Sequence, residues 1–73
     1  MIKKLDFDID EILRETPAAF VGRPLYELCS IYVATFHVGD DEYTLQAVFD
    51  LESDTQALVV ANADETIINK IGE

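Results

Sequence analysis

Residues 26–52 constrain the fold more than any other stretch, because apolar and polar side chains alternate there on both sides of a turn. Successive side chains of a strand point to opposite faces, and directly opposed residues share a face. A two-residue loop at 40–41 and a four-residue loop at 39–42 both pair Val38 with Tyr43. The stretch is therefore predicted to form one long β-hairpin.

In this register one face of the hairpin is almost entirely apolar. Its members are Leu28, Ser30, Tyr32, Ala34, Phe36, Val38, Tyr43, Leu45, Ala47, Phe49 and Leu51. A slip of one residue would place Thr44, Gln46 and Asp50 opposite the aromatic rings, so the pattern favours this register.

A short helix is predicted before the hairpin. Asp8 followed by Glu11 is a capping-box pattern. From Ile9 onward apolar residues recur at helical spacing, and Pro17 ends the helix because the residue before a proline avoids helical geometry. Residues 18–25 then connect the helix to the hairpin.

After the hairpin, residues 53–56 have the composition of a turn. Leu58 and Val60 are predicted to continue the apolar face as a third strand, opposite Leu51 and Phe49. A final helical turn or two is expected to bury three isoleucines, namely Ile67, Ile68 and Ile71.

These elements predict an α+β fold in a single domain, 1–73: a three-stranded antiparallel meander with short N- and C-terminal helices on one face, αβββα. Residues 1–7, MIKKLDF, are an alternative fourth strand. Both helices are expected on the aromatic face, which leaves the opposite face uncovered. An apolar patch of Ile31, Val33, Val48 and Val59 is expected there, typical of an interaction surface. A modestly apolar, solvated sheet is the alternative.

The charge of the chain restricts its partners. The chain has fifteen Asp and Glu residues but only five Lys and Arg, which gives a net charge of −10. No Lys or Arg lies between Arg23 and Lys70. Direct binding to nucleic acid or an anionic membrane is disfavoured by repulsion, and a basic protein is the expected partner. No stretch approaches the ~20 apolar residues that span a bilayer. The N-terminus has no apolar run of the signal-peptide type, because acids begin at Asp6, and the single Cys29 is compatible with a reducing compartment, so a cytoplasmic location is expected.

A row of carboxylates is expected beside the apolar patch, since acids alternate at the end of the hairpin. The predicted row consists of Glu27, Asp50, Glu52 and Asp54. Three more acids, Asp40, Asp41 and Glu42, are placed at the far turn. Such a row imitates the charge of a nucleic-acid backbone; acids that keep a small domain soluble are the alternative.

The sequence predicts no enzyme. Cys29 and His37 fall on one face of the same predicted strand but roughly 26 Å apart at ~3.3 Å per residue, too far for a nucleophile–base pair. The acids at 6, 8, 10 and 11 lack the glycine and distant glutamate of a calcium loop. No cofactor motif is present, and no cofactor or metal is expected.

The short acidic helix DEILRET at 10–16 and the strand ALVV at 57–60 give the chain a limited resemblance to small acidic DNA-mimic inhibitors of phages and mobile elements. These include anti-CRISPR proteins and the uracil-DNA glycosylase inhibitor. The resemblance implies a non-enzymatic protein that occupies the DNA channel of a nucleic-acid-binding enzyme or complex. Two alternatives remain: a self-associating module that forms a homodimer through the strand at 26–38 or through its second sheet face, and an immunity protein or antitoxin that neutralises a basic toxin.

Overall fold

The computed structural model describes residues 7–72, which form one four-stranded antiparallel sheet and one α-helix. The elements are α1 (Ile9–Glu15), a 3₁₀ turn (Leu25–Glu27), β1 (Cys29–Val38), β2 (Asp41–Asp50), β3 (Thr55–Ala61) and β4 (Ile67–Ile68). The strands lie in the order β1-β2-β3-β4. The α+β class and the antiparallel meander are confirmed, whereas the alternative strand at 1–7 falls almost entirely outside the described residues. No helix within 7–72 has the length and apolarity to cross a bilayer.

The predicted N-terminal helix is confirmed with its capping residue. The Asp8 carboxylate accepts a hydrogen bond from the Glu11 N–H at 3.2 Å, which satisfies a backbone donor that has no partner within the helix. Leu13 is buried against the sheet, and the Thr16 hydroxyl donates to the Ile12 carbonyl at 2.8 Å. α1 ends at Glu15, two residues before Pro17.

The hairpin forms, but its register differs from the prediction. Val38 pairs with Asp41 instead of Tyr43, so the turn consists of Gly39 and Asp40. Gly39 adopts a φ of +62° while Asp40 does not have a positive φ, the pattern of a type II′ turn with glycine first. Moving the turn by one residue shifts the pairing by two, which preserves the faces near the turn. Phe36 accordingly lies opposite Tyr43, with ring centroids 5.7 Å apart.

A β-bulge at Val33 changes the faces in the first half of β1. The pairing shifts between Tyr32 and Ala34, so that Ile31 lies opposite Ala47 and Cys29 opposite Phe49. An extra residue in one strand reverses the side-chain alternation relative to the partner strand. The predicted faces of residues 28–32 are therefore wrong, while those of 34–38 are correct.

The third strand lies on the predicted faces but with different partners. Residues 51–54 form the turn, and β3 places Leu58 opposite Ala47 and Val60 opposite Leu45. The turn starts early because the Asp50 carboxylate accepts the Glu52 N–H at 3.0 Å. Asp54, with a φ of 57°, completes the reversal.

The predicted C-terminal helix is wrong, since Ile67–Ile68 form β4 instead. The Asn62 side-chain oxygen accepts hydrogen bonds from the N–H groups of Asp64 and Thr66, both at 3.0 Å. This tight loop returns the chain antiparallel to β3, where β-branched isoleucine is favoured. Burial of the three isoleucines is nevertheless correct, because Ile67 is buried and Ile68 and Ile71 pack against the core.

Both faces of the sheet are covered, in contrast to the predicted single layer of helices. On the helix face, where α1 packs, the buried residues are Leu13, Tyr43, Leu45 and Val60. On the opposite face the connector, residues 18–25, contributes Phe20 and Leu25, which pack on strand residues. The strand residues of that cluster are Val48, Val59, Ala61 and Ile67. The prediction of an uncovered second face is wrong because the connector crosses it.

Candidate functional site: an apolar groove beside an acidic helix

An open groove remains on the helix face because α1 has only seven residues and covers part of the sheet. The groove measures about 460 Å³. Its lining comes from three adjacent strands, and the apolar lining residues that lie on the helix face are Cys29, Ile31, Ala47, Phe49 and Leu58. These residues pair across the sheet, Ile31 with Ala47 and Ala47 with Leu58, so they form one continuous floor.

The bulge at Val33 makes this groove possible. With unbroken alternation from Phe36, Ile31 would lie on the connector face; the reversed alternation brings it to the helix face. Ile31 is 71% exposed, an unusual state for a large aliphatic side chain next to other apolar groups. The small Ala47 at the centre of the floor leaves a depression between the larger Ile31 and Leu58.

One side of the groove is bordered by carboxylates of α1 and of its N-cap residue, which we call the acidic wall: Asp8, Glu11 and Glu15. They occupy positions i, i+3 and i+7, so they share one side of the helix. The acidic wall lines a depression that includes Leu58, which also belongs to the groove floor. Apolar floor and carboxylates are therefore contiguous.

Acidic and basic side chains share the other flank of α1. There Arg14 lines a depression with Asp10, Leu13, Lys70 and Ile71. Within residues 7–72, Glu11 and Glu15 form no ion pair. The acidic wall thus presents carboxylates that no described base neutralises.

The far end of the hairpin from the β1–β2 turn carries an ion-pair cluster centred on Arg23. Its Nη1 donates to Asp50 Oδ2 at 3.0 Å, and its Nε donates to Glu27 Oε1 at 3.3 Å. The hydrogen bond from Arg23, together with the Glu52 N–H, lowers the pKa of Asp50 below its ordinary value. The same pairing with Asp50 raises the pKa of Arg23. Both ionic forms are therefore favoured in the folded chain.

The predicted carboxylate row is not formed. Asp50 is only 9% exposed and, like Glu27, is paired with Arg23. Glu52 and Asp54 lie in the turn at 51–54, beyond the end of β2, so the strand alternation that defined the row does not continue. Both are exposed, but they do not extend a line of strand carboxylates.

The three acids predicted at the far turn, Asp40, Asp41 and Glu42, are exposed. Glu42 lies 3.4 Å from His37 Nε2, an ion pair when the imidazole is protonated. Asp41 shares a depression of about 250 Å³ with Asp64 from the loop after β3. The β1–β2 turn therefore forms a second acidic region, remote from the Arg23 cluster.

The predicted apolar patch is divided by the fold. Ile31 and Val33 are exposed, whereas Val48 and Val59 are buried, 2% and 0% exposed, beneath the connector. That Ile31 and Val33 contact a partner stays a prediction. The buried pair belongs to the monomer core and has no surface to offer a partner.

Chemistry at the remaining polar groups is restricted by geometry. The bulge places Cys29 on the helix face and His37 on the connector face, so the prediction that they share a face is wrong. Among residues 7–72, no three His, Cys, Asp or Glu side chains converge in a way that could hold a metal ion.

Sequence reasoning missed the acidic wall, although its i, i+3, i+7 spacing is readable in DIDEILRE at 8–15. What the pattern alone does not reveal is that this helix side borders an apolar groove. Comparison with family models, curated proteins and solved structures found no match to this chain.

Proposed function

We propose that this protein is a non-enzymatic acidic inhibitor that binds the basic nucleic-acid-binding surface of a target protein. The observation that carries the proposal is the contiguity of the apolar groove with the acidic wall, whose carboxylates have no described counter-charge. Nucleic-acid-binding surfaces are rich in Lys and Arg, which neutralise phosphates. Carboxylates in place of phosphates attract the same side chains.

The two parts of the site have different physical roles. Glu11 and Glu15 are about 6 Å apart along the helix axis at 1.5 Å per residue, so neighbouring basic side chains can engage both. The net charge of −10 accelerates encounter with a basic surface and makes association sensitive to salt. The floor around Ile31 and Leu58 supplies apolar area that is buried against the target. This burial favours binding in a way that long-range charge attraction alone does not.

A second candidate function, self-association, is favoured by one observation: β1 is an edge strand and its large side chains Ile31 and Tyr32 are exposed. Two copies each carrying −10 repel one another, which opposes this arrangement at low salt. A dimer that is stable in 50 mM salt would favour self-association over the inhibitor proposal.

The inhibitor proposal can be tested by capture and displacement. The protein is immobilised, exposed to lysate of the cells that encode it, and washed with duplex DNA. We expect retained proteins that bind nucleic acid, are released by the DNA, and lose affinity steeply as salt rises. Retained proteins that DNA does not displace would contradict the proposal.

A pair of matched double variants localises the site. Glu11→Gln with Glu15→Gln neutralises the acidic wall, whereas Asp64→Asn with Glu65→Gln removes the same charge from an exposed loop elsewhere. We expect the first pair to weaken capture of the purified target at least tenfold and the second less than threefold. Equal losses would show that net charge alone, and not this site, governs binding.

A further inference from the structure

The two edges of the sheet differ in whether another segment of the chain pairs with them. The β4 edge is covered by the connector: the Gly22 N–H donates to the Ile67 carbonyl at 2.8 Å, and the Ile67 N–H donates to the Arg23 carbonyl at 3.0 Å. The Leu25 N–H donates to the Glu65 carbonyl at 2.9 Å. In the described part of the chain, nothing pairs with the outer edge of β1. Half of its backbone donors and acceptors therefore face outward.

β1 also lacks most of the features that protect edge strands. Lysine, inward-pointing charge and proline are common protections, yet CSIYVATFHV contains none of them. Its one irregularity is the bulge at Val33, which divides the edge into two halves. A regular added strand can pair with only one half in a continuous register.

We propose that the partner contributes a short extended segment that pairs with Cys29–Tyr32 and so adds a fifth strand to the sheet. This inference rests on the proposed function and names the element by which the target is held. The first half of β1 is the favoured one because Cys29 and Ile31 line the groove. Alternate side chains of the added strand then lie beside Ile31 and cover it.

Charge identifies the composition of that segment. Glu27 lies two residues before β1, and Glu52 lines the adjoining depression, which also includes Cys29 and Phe49. The described base in that depression, Arg23, already pairs with both Glu27 and Asp50. A segment that alternates apolar residues with Lys or Arg matches both the apolar floor and the surplus carboxylates. A second copy of this chain does not, because its β1 brings no Lys or Arg.

The test uses a fluorescently labelled peptide, Lys-Val-Lys-Val-Lys-Val-Lys, and the whole chain. Anisotropy measures its affinity for wild type, for Ile31→Lys and for the control Val38→Lys. Both variants add one positive charge to an exposed site of β1, but Val38 lies beyond the bulge. Circular dichroism verifies that each variant is folded. We expect Ile31→Lys to weaken binding at least tenfold and Val38→Lys less than threefold.

A second peptide, N-methylated at two consecutive central amides, keeps its charge and its apolar groups but loses one backbone donor on each edge. We expect it to bind wild type at least tenfold more weakly than the parent peptide. Equal binding of the two peptides, or equal losses in the two protein variants, would overturn strand addition. So would a wild-type dimer that Ile31→Lys dissociates, because the edge would then hold a second copy.

The outcomes separate this inference from the proposed function. If the peptides fail while DNA still displaces captured nucleic-acid-binding proteins, strand addition is wrong and the inhibitor proposal stands. If the parent peptide binds as expected but DNA displaces nothing, the edge binds a basic strand and the target is of another class.

Discussion

Truncating Val59 to alanine tests whether the connector closes the second face of the sheet within the monomer. Val59 has no exposed surface and belongs to a buried cluster with Phe20, Leu25 and Ile67. The substitution removes two carbon groups, a transfer loss of about 1.6 kcal/mol at ~0.8 kcal/mol each. The cavity left behind raises the expected cost to about 2–3 kcal/mol. A chain of this length has a total stability of about 4–11 kcal/mol.

The assay is urea denaturation followed by circular dichroism. With a slope of about 1 kcal/mol per molar urea for so small a chain, the unfolding midpoint should fall by about 2–3 M. Ile31→Ala serves as the control because it removes one more carbon, yet from a side chain that is 71% exposed. Its expected cost is below about 1 kcal/mol.

The comparison has a clear refutation. Equal costs for Val59→Ala and Ile31→Ala would show that Val59 is not buried by the connector. The second sheet face would then be open, as the alternation alone predicts. The groove on the helix face would then no longer be the favoured exposed apolar site.

Two further predictions concern single contacts. Asp50→Asn should lower stability at pH 7. The lowered pKa of Asp50 means that its contribution is present above the ordinary carboxyl value of about 4 and disappears as pH falls through the folded-state value. The gap in urea midpoint between variant and wild type should thus narrow as the pH falls below about 4, and a gap that stays constant would contradict the pairing with Arg23. Asp8→Ala should cost about 0.5–2 kcal/mol by removing the acceptor of the Glu11 N–H, measured by thermal denaturation, while Asp8→Ser should restore most of it.

The candidate site was predictable in kind but largely not in its residues. An apolar surface bordered by acids is predicted by the alternation and the charge of the sequence. The predicted exposure of Ile31 is confirmed, although the side chain lies on the helix face and not on the opposite one. Val48 and Val59 were misplaced because alternation reports which residues share a face, not which segment covers it. Asp50 was misread as a free carboxylate because its partner Arg23 lies far along the chain, and such contacts leave no local signal.

Local chemistry in the sequence determined α1 with its cap at Asp8, the existence of three paired strands, the faces of β3 and the strongly acidic surface. These follow from hydrogen bonds and periodicities within a few residues. Tertiary structure decided the rest. The bulge at Val33 determined which half of β1 lines the groove. The packing of the connector determined which face of the sheet is buried beneath it. The Asn62 loop turned the last isoleucines into a strand. Each of these outcomes depends on the free energy of packing between segments that are distant in the chain. The sequence of one segment alone does not determine that free energy.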